Sequence, residues 1–247
     1  MKNTKDTLVK EPTLILLLSA CLWAAFSFRN EKGWSNVYAK PYVFTSNTFT
    51  DRIPFWTKDL EEFKGKPAIQ FLEIGTFEGR SALWVLENIL TDPTSSLTVI
   101  DTFDGPYYKT FLHNVNLSGQ SARFKILAGY STEKIKEVPL HSIDFAYIDG
   151  SADGNVMFED LKNAWDRVKV GGIILCNRYR LTPHLRRVFG LHSGDPGPRE
   201  AIDRFIAAFK PYISIIDFQP NFVVLRKLQE ATPASQRIGR TKDPVIK

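Results

Sequence analysis

From residue 68 onward the chain switches repeatedly between two hydrophobic periods. Short apolar runs of strand length lie at 68–74, 97–100, 124–127, 143–148 and 173–176. Between some of them the apolar residues fall at helical spacing. Leu83, Leu86, Ile89 and Leu90 share one face of a helix predicted over 81–90. Met157, Leu161, Ala164, Trp165 and Val168 do so over 156–168. Gly171-Gly172 is predicted to stop that second helix, because glycine is favoured just past a helix end. Pro198 suits a first helical turn. It opens a helix that turns Ile202, Phe205, Ile206 and Phe209 inward. The runs 213–218 and 222–225, joined through Pro220-Asn221, read as a closing hairpin. Strands alternating with helices imply an α/β fold. The architecture expected is a Rossmann-like, doubly wound, seven-stranded sheet, mostly parallel, ending in an antiparallel hairpin.

Ahead of this domain the pattern is different. Residues 29–66 are irregular and aromatic-rich, with one short helix expected near 56–63. They read as a cover over the edge of the domain at 67–227. Residues 13–28 carry no charge and have no polar face, whereas the preceding 1–12 are polar. This stretch is shorter than the ~20 residues of a usual membrane span and longer than a typical signal-peptide core. It is expected to anchor the chain to a membrane. Signal cleavage, leaving a secreted or lipoprotein-like product at Cys21, is the alternative. Lysines and arginines are balanced on its two sides, so orientation is not readable. Residues 228–247 lack apolar periodicity and are expected to form a flexible tail.

Composition changes little. Apolar residues at 43% and charged residues at 24% are those of a globular domain. A net charge of +5 without a dense basic stripe gives no reason to expect nucleic acid as a partner. The most basic stretch, Arg178 to Arg187, reads as a solvated face or as a seat for an anionic group. Two cysteines, Cys21 and Cys176, make no disulfide framework. The oligomeric state is not legible.

The chemistry-bearing residues stand at the carboxyl ends of the strands, where open parallel sheets bind ligands. Glu73, Gly75, Thr76, Gly79 and Ser81 follow the first strand, and Asp101 the second. Ser131 and Thr132 follow the third, Asp149 the fourth, and Asn177 and Arg178 the fifth. Gly75 permits a tight turn, and helix-start N–H groups behind it suit an anionic ligand group. A carboxylate at Asp101 suits ribose hydroxyls. The spacing Glu-x-Gly-x-x-x-Gly is neither the nicotinamide fingerprint nor a P-loop. That disfavours a nicotinamide-dependent oxidoreductase.

At this point FLEIGTFEGRSAL resembles the first motif of class I S-adenosylmethionine-dependent methyltransferases of the catechol O-methyltransferase-like branch. FAYIDGSADGNVMFEDLKNAWDRVKVGGIILCNRY is similar to the later block of the family called methyltransferase 24. The resemblance spans roughly residues 50–227. It implies that Glu73, Gly75, Thr76, Gly79 and Ser81 hold the methionine end of S-adenosylmethionine. Asp101 would hold its ribose, Ser131 and Thr132 its adenine, and Asp149 would sit beside the methyl group. O-methylation of a small hydroxylated acceptor is expected, with Asp149, Arg178 and His184 as candidate catalytic residues. Metal-dependent members hold a divalent cation such as Mg²⁺ through oxygens, here those of Asp149 and Asn177. Two departures stand out. Ser151-Ala152-Asp153 replaces a usual histidine, and Asn177-Arg178 replaces a usual acidic pair. They weaken the expectation of a metal, and they leave open a cofactor-binding or partner-binding domain without catalysis.

Overall fold

The computed structural model describes residues 37–180, 183–188, 190–192 and 194–231. The chain divides into two compact units, Met1–Ala39 and Lys40–Lys247. The polar segment 1–12, the proposed anchor at 13–28 with Cys21, and the tail beyond Ala231 lie outside the described residues. Among the described residues, no helix is long and apolar enough to cross a membrane.

In the second unit seven strands form one sheet. These are β1 (Gln70–Ile74), β2 (Ser96–Asp101), β3 (Phe124–Ala128), β4 (Ile143–Ile148), β5 (Val168–Asn177), β6 (Ile213–Phe218) and β7 (Phe222–Lys227). Their spatial order is 3-2-1-4-5-7-6. β1 to β5 pair in parallel, and β7 is antiparallel to both β5 and β6. The order reverses between β1 and β4, so a crevice opens above the carboxyl ends of those two strands. The helices are α1 (Ile53–Asp59), α2 (Arg80–Asn88), α3 (Tyr107–Ser118), α4 (Ser131–Lys134), α5 (Gly154–Arg167), α6 (Pro183–Val188) and α7 (Pro198–Phe209).

The central strands are apolar throughout because both faces are covered. Four of the five positions of β1 and five of the six of β4 are buried. On one face Met157, Leu161, Ala164 and Trp165 of α5 meet Ile202, Phe205 and Phe209 of α7 in a single core with Ile74, Ile148 and Ile174. Asp153 caps α5 by accepting the N–H groups of Asn155 and Val156 at 2.7 and 3.2 Å.

One local expectation is corrected, and one helix was not anticipated. Gly171-Gly172 does not stop α5, which already ends at Arg167; β5 starts at Val168 and runs through both glycines. The β4–β5 register shifts there, and a Cβ on Gly172 would lie 2.6 Å from the Asp144 carbonyl oxygen. The pair therefore makes an irregular strand, with Gly171 at φ +86°. Second, α3 carries no clear helical period in sequence. Its buried face is Phe111, Asn114, Val115 and Ser118, so polar residues interrupt the apolar stripe. Asn114 is buried because its amide serves the chain ahead of the domain, accepting from Val43 N and donating to the Val43 and Glu78 carbonyls.

That preceding chain is tied down by several such bonds. The Thr45 amide and hydroxyl both donate to the buried Glu78 carboxylate, at 2.7 and 2.8 Å. Phe49 packs on Trp56 and Trp84, and Trp56 meets Tyr147 edge-on at 4.6 Å. The short helix expected at 56–63 is present in two pieces, α1 and a 3-10 turn at Glu61–Phe63.

Candidate active site

The loop after β1 turns at Gly75, whose φ is +84°. A Cβ there would lie 2.5 Å from the Asp149 carbonyl oxygen, so glycine is demanded by the neighbouring β4 loop. Gly79 starts α2 at φ +83°, and a Cβ on it would meet the Phe111 ring at 2.9 Å. It admits close packing of α3. Asp101 organises the same loop. Its Oδ2 accepts from the Thr76 and Phe77 amides at 2.9 and 3.0 Å. Its Oδ1 accepts from the Phe103 amide at 2.9 Å.

Glu73 lies beneath, fully buried, and accepts from the hydroxyls of Ser81 and Thr76. Burial pushes its carboxyl up to about 8, opposed by those two hydroxyls and reinforced by Asp149 and Asp101. Glu73 therefore supports the loop from below and lines none of the cavities above it. Thr76 and Ser81 border a small cleft with Gly75, Arg80 and Asp149.

Two larger cavities lie along the crevice. One, of about 290 Å³, runs past Asp101, Gly129 and Ser131 to Gly150, Ser151 and Asp160. Ser131 faces it; Thr132 is exposed and does not. Sequence reasoning passed over Asp160, which is 1% exposed at the floor of this cavity. Neither carboxylate oxygen has a well-formed hydrogen bond. Burial pushes it up to about 6, with the Ser131 hydroxyl pulling the other way. An acidic residue at helical spacing after an Asp-Gly strand end was the available signal.

The other cavity, of about 680 Å³, extends from Gly75 and Asp101 to Asp149, Asn177, Arg178 and Arg180, with Arg52 from the preceding chain on its wall. Asp149 Oδ1 accepts from Arg178 Nε at 2.5 Å, and Oδ2 from the Tyr147 hydroxyl at 3.1 Å. A second Arg178 nitrogen donates to the Asp149 carbonyl at 3.1 Å. Arg178 itself sits at φ +60°, a left-handed conformation costly for a non-glycine residue. Burial has the largest single influence and lowers the Arg178 pKa, but the Asp149 charge, the hydrogen bond to Asp149 and Tyr147 together outweigh it and raise the pKa. Burial drives the Tyr147 hydroxyl well above its ordinary value, with Asp149 adding to the rise. Tyr147 is therefore a neutral donor. Arg52 donates through two nitrogens to Asn177 Oδ1 at 3.1 and 2.9 Å, and through a third to the Thr48 carbonyl at 2.6 Å and to Asp51.

The structure thus brings Asp149, Asn177 and Arg178 together. It does not bring His184, which is exposed on α6 and absent from the cavity wall. Arg52 was missed because nothing local in Asp51-Arg52-Ile53-Pro54 marks it; the packing of Trp56 on Tyr147 of β4 and of Phe55 on Phe222 of β7 carries it to Asn177. The oxygens expected to hold a divalent cation do not fit one. Asp149 is paired with one guanidinium and Asn177 with another. Among the described residues, no cluster of three or more His, Cys, Asp or Glu side chains has metal-site geometry.

A sheet of this order with its crevice above β1 and β4 defines a class I methyltransferase fold. Residues 72–179 match the family model described as "Methyltransferase domain". Solved structures share the fold. The O-methyltransferase from Bacillus cereus, solved in complex with S-adenosylhomocysteine, is 16% identical. The match covers 89% of this chain and 92% of that one, with a TM-score of 0.55. The S-adenosylhomocysteine-bound methyltransferase PaMTH1 from Podospora anserina is 17% identical over 90% and 99% of the two chains, with a TM-score of 0.57. The O-methyltransferase TomG from Streptomyces achromogenes, solved with S-adenosylmethionine, is 15% identical over 71% and 80%, with a TM-score of 0.55. No curated protein sequence matches the chain.

Proposed function

We propose that the domain is an S-adenosylmethionine-dependent methyltransferase that O-methylates a small hydroxylated acceptor. One observation carries the reading: the two cavities share Gly75, Asp101, Thr102 and Gly150, so a nucleoside-sized end opens into a larger end at Asp149. A ligand anchored by its ribose at Asp101 and its adenine beside Ser131 directs its other arm toward Asp149. The methyl group then faces an acceptor in the larger cavity. The domain aligns the acceptor oxygen with the sulfonium carbon, which is the main task in an in-line displacement. The C–O bond forms as the C–S bond breaks, the bonding pair stays on sulfur as a neutral thioether, and the acceptor hydroxyl gives up its proton to solvent. The cofactors bound in the B. cereus, P. anserina and TomG structures support this choice of ligand.

The test is thermal unfolding of the full chain with S-adenosylhomocysteine or NAD. A ligand at 100 times its dissociation constant adds about 2.7 kcal/mol of stability. Stabilisation by S-adenosylhomocysteine alone is expected. Stabilisation by NAD, or by neither ligand, overturns the reading. Binding with no turnover on any hydroxylated acceptor would leave a binding domain without catalysis.

A further inference from the structure

The charge placed at the acceptor end is unusual for a centre that handles a hydroxyl through a metal. Arg178 is clamped on Asp149 through both its side chain and its carbonyl. The guanidinium occupies the oxygens a cation would need. Its backbone is held at φ +60° to reach them. Arg52 takes the only side-chain oxygen of Asn177. Arg180 lines the same cavity and is exposed. Three guanidiniums and two carboxylates therefore line the cavity, with Asp149 at the acceptor end, Asp101 at the opposite end, and Asp51 on the outer, solvent side of Arg52 at 62% exposure.

Resting on the methyltransferase reading, the geometry points to a guanidinium-based acceptor site: Arg178 stands in the cation's position, and the acceptor is a hydroxyl acidic enough to arrive as an oxyanion, such as a phenol or enol. A bound dication raises the acid constant of a coordinated hydroxyl by several orders of magnitude, whereas a single delocalised positive charge stabilises an anion without that leverage. A weakly acidic alcohol would gain too little from Arg178 to ionise. An acidic phenol loses its proton to solvent and binds as the phenolate. Its oxygen attacks the sulfonium methyl carbon, and negative oxygen and positive sulfur become neutral ether and neutral thioether. The Arg178 charge is unchanged throughout and favours the oxyanion within the water-poor crevice.

The probe is 4-nitrophenol, whose visible absorption reports the phenolate and whose single hydroxyl cannot chelate. The full chain is first loaded with S-adenosylhomocysteine. Failure at that step counts against the methyltransferase reading, not against this inference. The loaded protein is then titrated with 4-nitrophenol, with EDTA and with MgCl₂. The expected result is saturable binding as the phenolate, the same with EDTA and Mg²⁺, and weakened at least tenfold in Arg178→Gln. No phenolate binding to the loaded wild-type chain overturns the inference. So does binding that requires Mg²⁺, or binding undiminished in a folded Arg178→Gln. The EDTA and Mg²⁺ arms use the wild-type chain, so they decide even where that variant does not fold.

Discussion

The two ends of the crevice are built in different ways. The nucleoside end, from Gly75 to Ser131, is held by short-range backbone geometry. Asp101 gathers the amides of Thr76, Phe77 and Phe103, and two glycines in left-handed conformation let loops pass at close range. The acceptor end is held by side chains distant in sequence. Arg52 meets Asn177, Trp56 meets Tyr147, and Arg178 reaches back across the sheet to Asp149. A frame of backbone bonds can serve one constant ligand while a side-chain frame beside it changes with the acceptor. The difference teaches where specificity can change without loss of cofactor binding.

Three substitutions test whether the two ends are independent. Trp56→Ala removes a fully buried indole that joins Phe49, Trp84 and Tyr147. A loss of about 3–5 kcal/mol in denaturant unfolding is expected. S-adenosylhomocysteine affinity should persist in the folded variant, read by calorimetry. A parallel collapse of that affinity would show that the two ends are one unit.

Glu73 gives a pH-dependent test beneath the nucleoside end. Its carboxyl is raised to about 8 in the folded chain, chiefly by burial. Below its ordinary range both states keep the proton and the site costs nothing. As pH rises, the unfolded chain releases that proton first, so stability contributed by protonated Glu73 is lost as pH passes through about 8. Glu73→Gln should abolish this fall, a difference on the order of 4–5 kcal/mol between pH 4 and pH 9 by the usual linkage. Identical pH–stability curves for wild type and variant would remove Glu73 from the account.

Asp101→Asn is the mildest of the three. It keeps the shape and removes the charge and part of the accepting capacity that gathers three amides. Affinity for S-adenosylhomocysteine should fall roughly 10- to 100-fold, about 1.4–2.7 kcal/mol, while binding of 4-nitrophenol to the loaded protein changes less than threefold. Equal losses at both ends would again argue for a single coupled site.

The contrast also explains what was legible in the chain. The alternating periods, the Glu-x-Gly-x-x-x-Gly turn and the acid at the second strand end are local signals. They gave the sheet, its closing hairpin and the position of the crevice. The structure places Gly75, Asp101, Ser131 and Asp149 around the crevice as that pattern expects, with Glu73, Thr76 and Ser81 supporting the turn. Where a local rule was applied to a residue with a non-local partner, it misled. Gly171-Gly172 resembled a helix cap, but Gly172 is needed because the Asp144 carbonyl passes too close for a Cβ. α3 escaped notice because Asn114 is buried for its bonds to Val43, not for its hydrophobicity.

The sequence by itself determined the fold class, the turn and the roster of polar strand ends, because strand and helix periods and glycine geometry act over a few residues. Only the tertiary structure decided that Arg52 meets Asn177, that Asp160 lies unpaired under the nucleoside cavity, and that Arg178 closes on Asp149. Those contacts join residues on separate elements, and their energies depend on burial and distance that no local pattern records.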